Sequence, residues 1–415
     1  MSRQERIYPL ASVEGRSYSR PRQAVILAGG RGERMRPLTD DKPKPMIPVN
    51  GRPFLEHQIV QLREQGFERV LLLLGYRADV VRNYFGDGAP WGIRIDYAIT
   101  APELLTSSRV AAARHLIDEC FLLLYCDNFW PMQMERLWAR FCEAGKPALI
   151  TVYANEDGYS KGGVRLADNG DVLAFDRDRS SPGLNEVEIS YAILTYRALD
   201  ALPDEDAPFE EAVYTALARQ GRLTAFRTGH RYYGVGSFAR LAATERFFRR
   251  TPSVILDRDG VLNRRMAPGD YVKNWDEWQW CEGALEALQL FHSRGFRVFV
   301  ATNQPGIGRG VISAADLTTI HSKMVREAQR AGGSIDAIFH CPHGWDEGCD
   351  CRKPRPGLLY QAQREYELDL TRTVFVGDDD RDAEAALAAG CRFRRVTNEV
   401  SLLEIAEDIV SQKDM

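Results

Sequence analysis

The chain is short of several things. No apolar run approaches the roughly 18 residues that a membrane-crossing helix needs, so no transmembrane segment is expected. The opening stretch, MSRQERIYPLASVEGRSYSR, carries charge but no apolar core of the kind a secretory signal requires. A cytoplasmic location is therefore the expectation. Net charge is nearly absent too: 54 Lys+Arg stand against 58 Asp+Glu, a formal balance of -4. That balance gives no global reason to expect nucleic acid or a membrane surface as a partner. There is no internal repeat. What is present suffices for ordinary cores: 44% hydrophobic and 10% aromatic residues argue against general disorder. At 415 residues, the chain suits two or three domains.

Cysteine is sparse and uneven. Cys120, Cys126, Cys142, Cys281 and Cys391 are scattered, and the first two sit beside or within an apolar run, where buried reduced thiols are expected. Cys341, Cys349 and Cys351 crowd together with His343. Without a secretion signal, such a group favours a metal over disulfides.

Continuous apolar runs alternate with segments of helical spacing. QAVILA (23–28), VLLLL (70–74), FLLLY (121–125) and 148–153 read as buried strands, with a helix over 53–65. This alternation indicates a parallel sheet covered on both faces. The pattern breaks at FFRRTPS (247–253) and restarts. Strands are then expected at 254–256, 297–301, 337–340 and 373–376, and helices at 282–294, 314–331, 356–367 and 382–389. The expected organisation is a flexible tail over 1–21, one α/β domain over 22–250 and a second over 251–415.

The clearest chemistry lies in the second half. VILDRDGVL (254–262) places two carboxylates, Asp257 and Asp259, between a buried strand and a glycine turn. An aspartate at that end of a parallel strand faces the crevice where such sheets bind ligands. Asp257 can attack phosphorus to give an aspartyl-phosphate, and Asp259 can serve the leaving oxygen as proton donor. Thr302 and Asn303 end the next strand and offer polar groups to phosphate oxygens. Arg352 and Lys353 supply positive charge for the transferring phosphoryl group. Asp378, in GDDDRD (377–382), belongs to a carboxylate cluster suited to Mg²⁺. These four pieces in this order resemble the haloacid-dehalogenase superfamily over residues 254 to about 395. The resemblance implies a Rossmannoid parallel sheet, Asp257 as nucleophile, Asp259 as general acid/base, and Thr302 and Lys353 on the phosphoryl group. It also implies Mg²⁺ held by Asp257, Asp378 and the Asp259 carbonyl.

The thiol cluster narrows the likeness. Cys341, His343, Cys349 and Cys351 form a Cys₃His set that suits structural Zn²⁺, in a loop (341–351) leading straight into Arg352-Lys353. Cys-x-His followed by Cys-x-Cys-Arg-Lys-Pro is similar to two groups of phosphatases, acting on D-glycero-D-manno-heptose 1,7-bisphosphate and on histidinol phosphate. NQPGIGRG (303–310) and YVK (271–273) favour the heptose group, with Arg309 expected to hold the non-reacting phosphate. The five-residue spacer between His343 and Cys349 is at least as common in the histidinol group. Asn263, Lys273 and Asn274 are candidates for lining the sugar pocket, though solvated loop positions are the plainer reading.

In the first half, LAGGRGERMRPLT (27–39) follows a strand and leads to KPKPMIPV (42–49). Gly29, Gly30 and Gly32 would let backbone N–H groups approach a triphosphate, while Arg34 and Lys44 would offset phosphate charge. The stretch resembles sugar-1-phosphate nucleotidyltransferases, and weakly so to about residue 247. That likeness implies a Rossmann-like mixed sheet and a catalytic Mg²⁺ on Asp127. Three elements depart from the family pattern. Gly234 stands where a second metal-binding Asp is usual, Leu105–Arg109 where a Leu-Gly-Thr-x-Gly loop is usual, and Asp176-Arg177 where Glu-Lys is usual. The first domain is therefore either a transferase or a nucleotide- or sugar-binding module.

The pairing of the two resemblances implies consecutive steps in making a nucleotide-activated heptose for a surface glycoconjugate. The phosphatase would remove the 7-phosphate, and the transferase would join heptose 1-phosphate to a nucleoside triphosphate, GTP by family analogy. Fusing such steps raises the local concentration of the intermediate. The alternatives are a histidinol-phosphate-type phosphatase and a phosphatase with a non-catalytic first domain. The sequence gives no oligomeric state.

Overall fold

The computed structural model describes residues 8–267 and 269–412, so residues 1–7 of the expected tail lie outside it. The chain divides into two compact units between Phe248 and Arg249.

The first unit is built on a seven-stranded sheet. In spatial order its strands are Leu223–Thr228, Ala148–Tyr153, Val187–Thr195, Cys120–Tyr125, Gln23–Ala28, Arg69–Leu74 and Arg94–Ile99. The sheet is mixed: Val187–Thr195 runs antiparallel to both neighbours, and the other pairs are parallel. The uniformly parallel sheet suggested by the apolar runs is thus corrected, and the mixed sheet implied by the family likeness is present. Every residue of Gln23–Ala28 is buried because both faces are covered. Ala24, Ile26 and Ala28 pack into one core layer, and Val25 and Leu27 into the other, as the two-residue period of a strand requires.

Residues 8–21 are not a loose tail. Ala11–Val13 and Arg16–Tyr18 form an antiparallel hairpin. Its turn residues Glu14 and Gly15 both have positive φ, the geometry that matches strand twist in tight hairpins. Ala11, Val13 and Tyr18 are buried in the same core layer as Trp138 and Phe141, and Trp138 Nε1 donates to the Pro9 carbonyl at 2.9 Å.

The second unit is a five-stranded, wholly parallel sheet. Its order is Ala337–Cys341, Arg297–Asn303, Ser253–Leu256, Val374–Gly377, Arg392–Arg395. In chain order this is 3-2-1-4-5, a doubly wound arrangement whose direction reverses beside Ser253–Leu256. That reversal opens a crevice at the carboxyl ends of the first and fourth strands. Among the described residues no helix is long and apolar enough to cross a membrane.

Candidate functional site

The switch point of the second unit gathers the residues that the sequence singles out there. Asp257 follows Ser253–Leu256 directly, and its amide is tied to the Val376 carbonyl of the neighbouring strand at 2.8 Å. Lys353 is almost fully buried. Its Nζ lies 2.8 Å from Asp257 Oδ1 and 2.7 Å from Asp382 Oδ1, and it donates to the Ala301 carbonyl at 2.9 Å. The Arg258 amide also binds Asp257 Oδ1, at 2.7 Å. Both donors therefore converge on one oxygen of Asp257, and Oδ2 carries no hydrogen bond among the described residues. Thr302 sits buried at the end of the adjacent strand, its Oγ1 accepting from Gln304 Nε2 at 2.9 Å. Asp257, Asp259, Thr302, Arg352, Lys353 and Asp378 are among the residues lining one cavity of about 220 Å³.

The electrostatics follow from burial. Burial disfavours the Lys353 ammonium, but Asp257 and Asp382 outweigh it and hold the lysine protonated. One ammonium cannot match two buried carboxylates, so burial, with Asp382 adding to it, leaves the Asp257 carboxyl above its ordinary range. Asp378 is likewise raised, first by burial. Asp259 differs. Burial works against its charge, yet Arg258, Asn263 and Gln304 hold it below the usual carboxylate range, through bonds of 2.9 to 3.0 Å from Arg258, 2.9 Å from Asn263 and 2.8 Å from Gln304. Arg258 itself is buried and also reaches Gln304 Oε1 at 3.0 Å and His321 Nε2 at 3.3 Å.

One oxygen each from Asp257, Asp378 and Asp382 lies within 4.8 Å of the others. Three hard carboxylate donors around one point fit a divalent cation such as Mg²⁺. Asp382 is the member that sequence reading left without a role. It caps its own helix, Asp380–Ala389, through a capping box, and only that helix's placement shows it reaching Lys353. Arg265, also unassigned beforehand, binds Asp378 Oδ2 at 3.1 Å and Asp379 Oδ2 at 2.9 Å.

Asn303 and Arg309 each have a protein partner. Asn303 Nδ2 donates to the Lys353 carbonyl at 3.1 Å, and its Oδ1 accepts from the Lys353 amide at 3.0 Å. Its side chain is thus a clamp on the Lys353 backbone, although the residue also lines the cavity. Arg309 does not line that cavity. Its Nη1 donates to Tyr271 Oη at 3.0 Å, and Tyr271 is the lining residue. Asn263 holds Asp259, Lys273 pairs with Asp270 at 2.8 Å, and Asn274 caps the short turn Trp275–Glu277.

Cys341, His343, Cys349 and Cys351 converge. Their S···S separations are 3.5 and 3.6 Å, and His343 Nδ1 lies 3.5 Å from Cys341 Sγ and 3.2 Å from Cys351 Sγ. The edge of a tetrahedron with ligands about 2.3 Å from its centre is about 3.8 Å, so the four donors fit a closed four-coordinate metal. The loop also supports its neighbours: the Gln304 amide donates to the Cys341 carbonyl at 2.8 Å, and the Gly308 amide to the Pro342 carbonyl at 2.9 Å.

In the first unit Lys44 and Asp127 meet, with Nζ 2.6 Å from Oδ2. Asp127 lies just past the strand Cys120–Tyr125. Gly29, Gly30 and Gly32 lie just past Gln23–Ala28, with Gly32 at φ 68. A Cβ on Gly29 would fall 2.4 Å from the Arg109 guanidinium, and one on Gly30 would meet nothing within 4 Å. Arg34 is exposed in the following turn. The departures have structural counterparts. Leu105 precedes the helix Thr106–Ala113, whose first turn is Thr106–Arg109, and Arg109 is buried, binding the Leu74 and Pro102 carbonyls at 3.1 and 3.0 Å. Asp176 accepts from the amides of Arg179, Ser180 and Ser181 as a turn cap, and Arg177 reaches Glu210 at 3.1 Å. Gly234 pairs with Asn128 in a two-residue ladder, and a Cβ there would fall 2.6 Å from the Asp127 carbonyl oxygen.

Comparison with known proteins agrees with this division of chemistry. A nucleotidyl transferase family model matches residues 23–177, and a haloacid dehalogenase-like hydrolase model matches residues 190–390. The second match begins inside the first unit, where Val187–Thr195 is locked between two strands of the seven-stranded sheet. The chain is 46% identical over 138 residues to a D-glycero-beta-D-manno-heptose-1,7-bisphosphate 7-phosphatase of Bordetella bronchiseptica, covering 33% of this chain and 76% of that one. It is 39% identical over 144 residues to a D-glycero-alpha-D-manno-heptose-1,7-bisphosphate 7-phosphatase of Mycobacterium bovis, covering 33% and 75%. A crystal structure of HddC from Yersinia pseudotuberculosis in complex with GMP-PN aligns with 55% of this chain and 99% of that one, at 23% identity and TM-score 0.47.

Proposed function

Because the chain belongs to the haloacid dehalogenase-like hydrolases and carries a nucleotidyl transferase domain ahead of that unit, we propose that it performs two successive steps toward a nucleotide-activated heptose. The second unit hydrolyses the 7-phosphate of a D-glycero-D-manno-heptose 1,7-bisphosphate. The first joins the resulting heptose 1-phosphate to a nucleoside triphosphate, with release of pyrophosphate. GTP is the donor we favour, on the family resemblance.

The observation that carries the phosphatase reading is the buried Asp257–Lys353–Asp382 set beside Thr302 and Asp259. Asp257 Oδ2, the oxygen left free, forms a bond to phosphorus as the P–O bond to the sugar breaks; Asp259, ionised at rest, takes up a proton as the negatively charged substrate enters and passes it to the leaving oxygen to complete the sugar hydroxyl. Water then attacks phosphorus, gives its proton to Asp259, and releases inorganic phosphate and the Asp257 carboxylate. Lys353 and Thr302 hold the phosphoryl oxygens. Asp257, Asp378, Asp382 and the Asp259 carbonyl would hold Mg²⁺, which lowers the repulsion between a carboxylate and an incoming phosphate. Zn²⁺ on Cys341, His343, Cys349 and Cys351 would fix the loop that delivers Arg352 and Lys353.

Phosphate release should be far faster from heptose 1,7-bisphosphate than from histidinol phosphate; equal or reversed rates would sink the substrate assignment. Asp257→Asn should abolish release while the protein keeps its melting behaviour. For the first unit, pyrophosphate release is measured with each NTP and heptose 1-phosphate, in wild type and Asp127→Ala. Gly234 and its close backbone contact favour a second reading of that unit, a binding module without turnover. That reading stands if no NTP gives pyrophosphate.

A further inference from the structure

Arg109 occupies the crevice beside the first unit's glycine loop. Gln23–Ala28 and Arg69–Leu74 are parallel neighbours, and ligands of such sheets bind beyond the carboxyl ends of the strands. There the Gly29, Leu74 and Pro102 carbonyls converge on one group, the Arg109 guanidinium. Nη1 donates to the Leu74 carbonyl at 3.1 Å and to Thr100 Oγ1 at 2.5 Å. Nη2 donates to the Pro102 carbonyl at 3.0 Å and to the Gly29 carbonyl at 3.4 Å. Both hydrogens on each Nη are thus engaged. The fit is tight on two sides: a Cβ on Gly29 would fall 2.4 Å from the guanidinium, and one on Gly75 2.5 Å from it.

As a purely structural contact this is a costly one. Arg109 is 2% exposed, none of its acceptors is charged, and among the described residues it has no salt bridge. A buried cation is ordinarily paired. The two nearby acids are turned elsewhere: Glu103 pairs with Arg31 at 2.6 Å, and Asp206 accepts from the Leu105 amide at 3.0 Å. The helix that carries Arg109 is firmly seated. Ser107 and Ala207 exchange bonds of 3.0 and 2.9 Å, and Thr106 Oγ1 accepts from the Phe209 amide at 2.7 Å. The part free to move is therefore the side chain, not the helix. Arg109 also stands where the transferase pattern ends its Leu-Gly-Thr-x-Gly loop on a glycine, so that pattern leaves open the space this chain fills.

The occupant shows what the space accepts. A flat group with adjacent N–H donors facing carbonyls describes a guanidinium, and equally the N1–H and N2–H₂ edge of guanine. Neither adenine nor uracil carries two adjacent donors on that edge. The groups suited to phosphate, Gly29–Gly32 and Lys44, lie alongside, and Gly29 itself touches the guanidinium. We propose that Arg109 is a plug in a guanine pocket of the first unit, holding it closed until the side chain swings out. This rests on the nucleotide-binding reading of that unit, not on its turnover.

The test is calorimetric binding of GTP, ATP and UTP to the full chain as wild type, Arg109→Ala and Arg109→Lys, with a melting scan of each. Removing the plug should tighten GTP at least about tenfold in Arg109→Ala, because the open pocket no longer competes with the side chain. Arg109→Lys, which keeps the cation but loses the planar fork, should fall between the two and serves if Arg109→Ala fails to fold. Guanidinium chloride at about 10 mM, against equal sodium chloride, should weaken GTP binding to Arg109→Ala by refilling the pocket, and leave the wild type unaltered. GTP affinity unchanged or lowered in folded Arg109→Ala or Arg109→Lys overturns the plug. An equal gain for all three nucleotides overturns the guanine pocket. If wild type and folded variants bind no nucleotide at all, the nucleotide reading of the first unit falls, and this inference with it.

Discussion

Restoring the missing carboxylate at position 234 should damage the first unit. A Cβ on Gly234 would lie 2.6 Å from the Asp127 carbonyl oxygen and 2.8 Å from Asn128 Oδ1, against an ordinary carbon–oxygen contact of about 3.4 Å. The backbone must therefore yield by most of an ångström, and it is held on every side. The Gly234 amide bonds Thr244 Oγ1 at 2.9 Å, the Gly234 carbonyl faces the same hydroxyl at 2.9 Å, and the Val235 amide donates to the Asp127 carbonyl at 3.0 Å. Forcing atoms into such a site costs about 1–3 kcal/mol. Gly234→Ala should pay that steric cost alone. Gly234→Asp adds a second carboxylate beside Asp127 and should cost more. At about 2–4 °C per kcal/mol for a unit of this size, Gly234→Ala should lower the melting transition by about 2–12 °C and Gly234→Asp further. The assay is calorimetric melting of the full chain, with pyrophosphate release measured alongside. A neutral or stabilised Gly234→Ala, or a Gly234→Asp with raised transferase rate, would refute the steric argument.

Three further outcomes are expected. Burial, aided by Glu210 and more weakly by Asp127, pushes Glu188 up to about 8 against the Ser190 amide bond and Arg179. The folded state then keeps a proton that the unfolded chain sheds above about pH 4.3. Its contribution is full below that pH and is lost as pH rises toward about 8, so wild type should lose stability relative to Glu188→Gln across that window, and parallel melting curves would contradict it. Lys353→Met leaves Asp257 and Asp382 buried without their cation, which should cost about 3–5 kcal/mol and abolish phosphate release; a melting point within 2 °C or so of wild type would count against the buried pairing. Zinc near one per chain by elemental analysis should vanish in Cys349→Ser, with the phosphatase transition melting lower; metal retained at full stoichiometry would remove Cys349 from the ligand set.

Much of the phosphatase centre was legible because its sheet is parallel and buried on both faces. Each strand is a short apolar run, and the residue at its carboxyl end, Asp257, Thr302 or Asp378, stands at the crevice by necessity. What stayed hidden depends on contacts between loops. The role of Asp382 depends on how its helix is seated, the Asn303 clamp pairs two distant segments, and Arg258 and Gln304 earn their roles only by surrounding Asp259. In the first unit, Val187–Thr195 escaped notice because Glu188 and Ser190 interrupt its apolar run, yet that strand makes the sheet mixed. Arg94–Ile99 and Arg392–Arg395 were missed as edge strands, where charged residues replace the apolar signal. The hairpin at 11–18 was missed because Glu14-Gly15 was read as polar tail rather than as a turn.

That hairpin bears on how the first unit can be handled. A clone begun at residue 22, the natural choice if the preceding residues were slack, would delete a wall of the fold. Ala11, Val13 and Tyr18 would leave the core layer bare over Trp138 and Phe141, and the indole N–H would lose its Pro9 carbonyl. An inactive shortened protein would then say nothing about catalysis, because the sheet carrying Asp127 would have been stripped of its cover. Affinity tags, too, are better placed with a spacer ahead of residue 8, so that the strand Ala11–Val13 can still close against its partner.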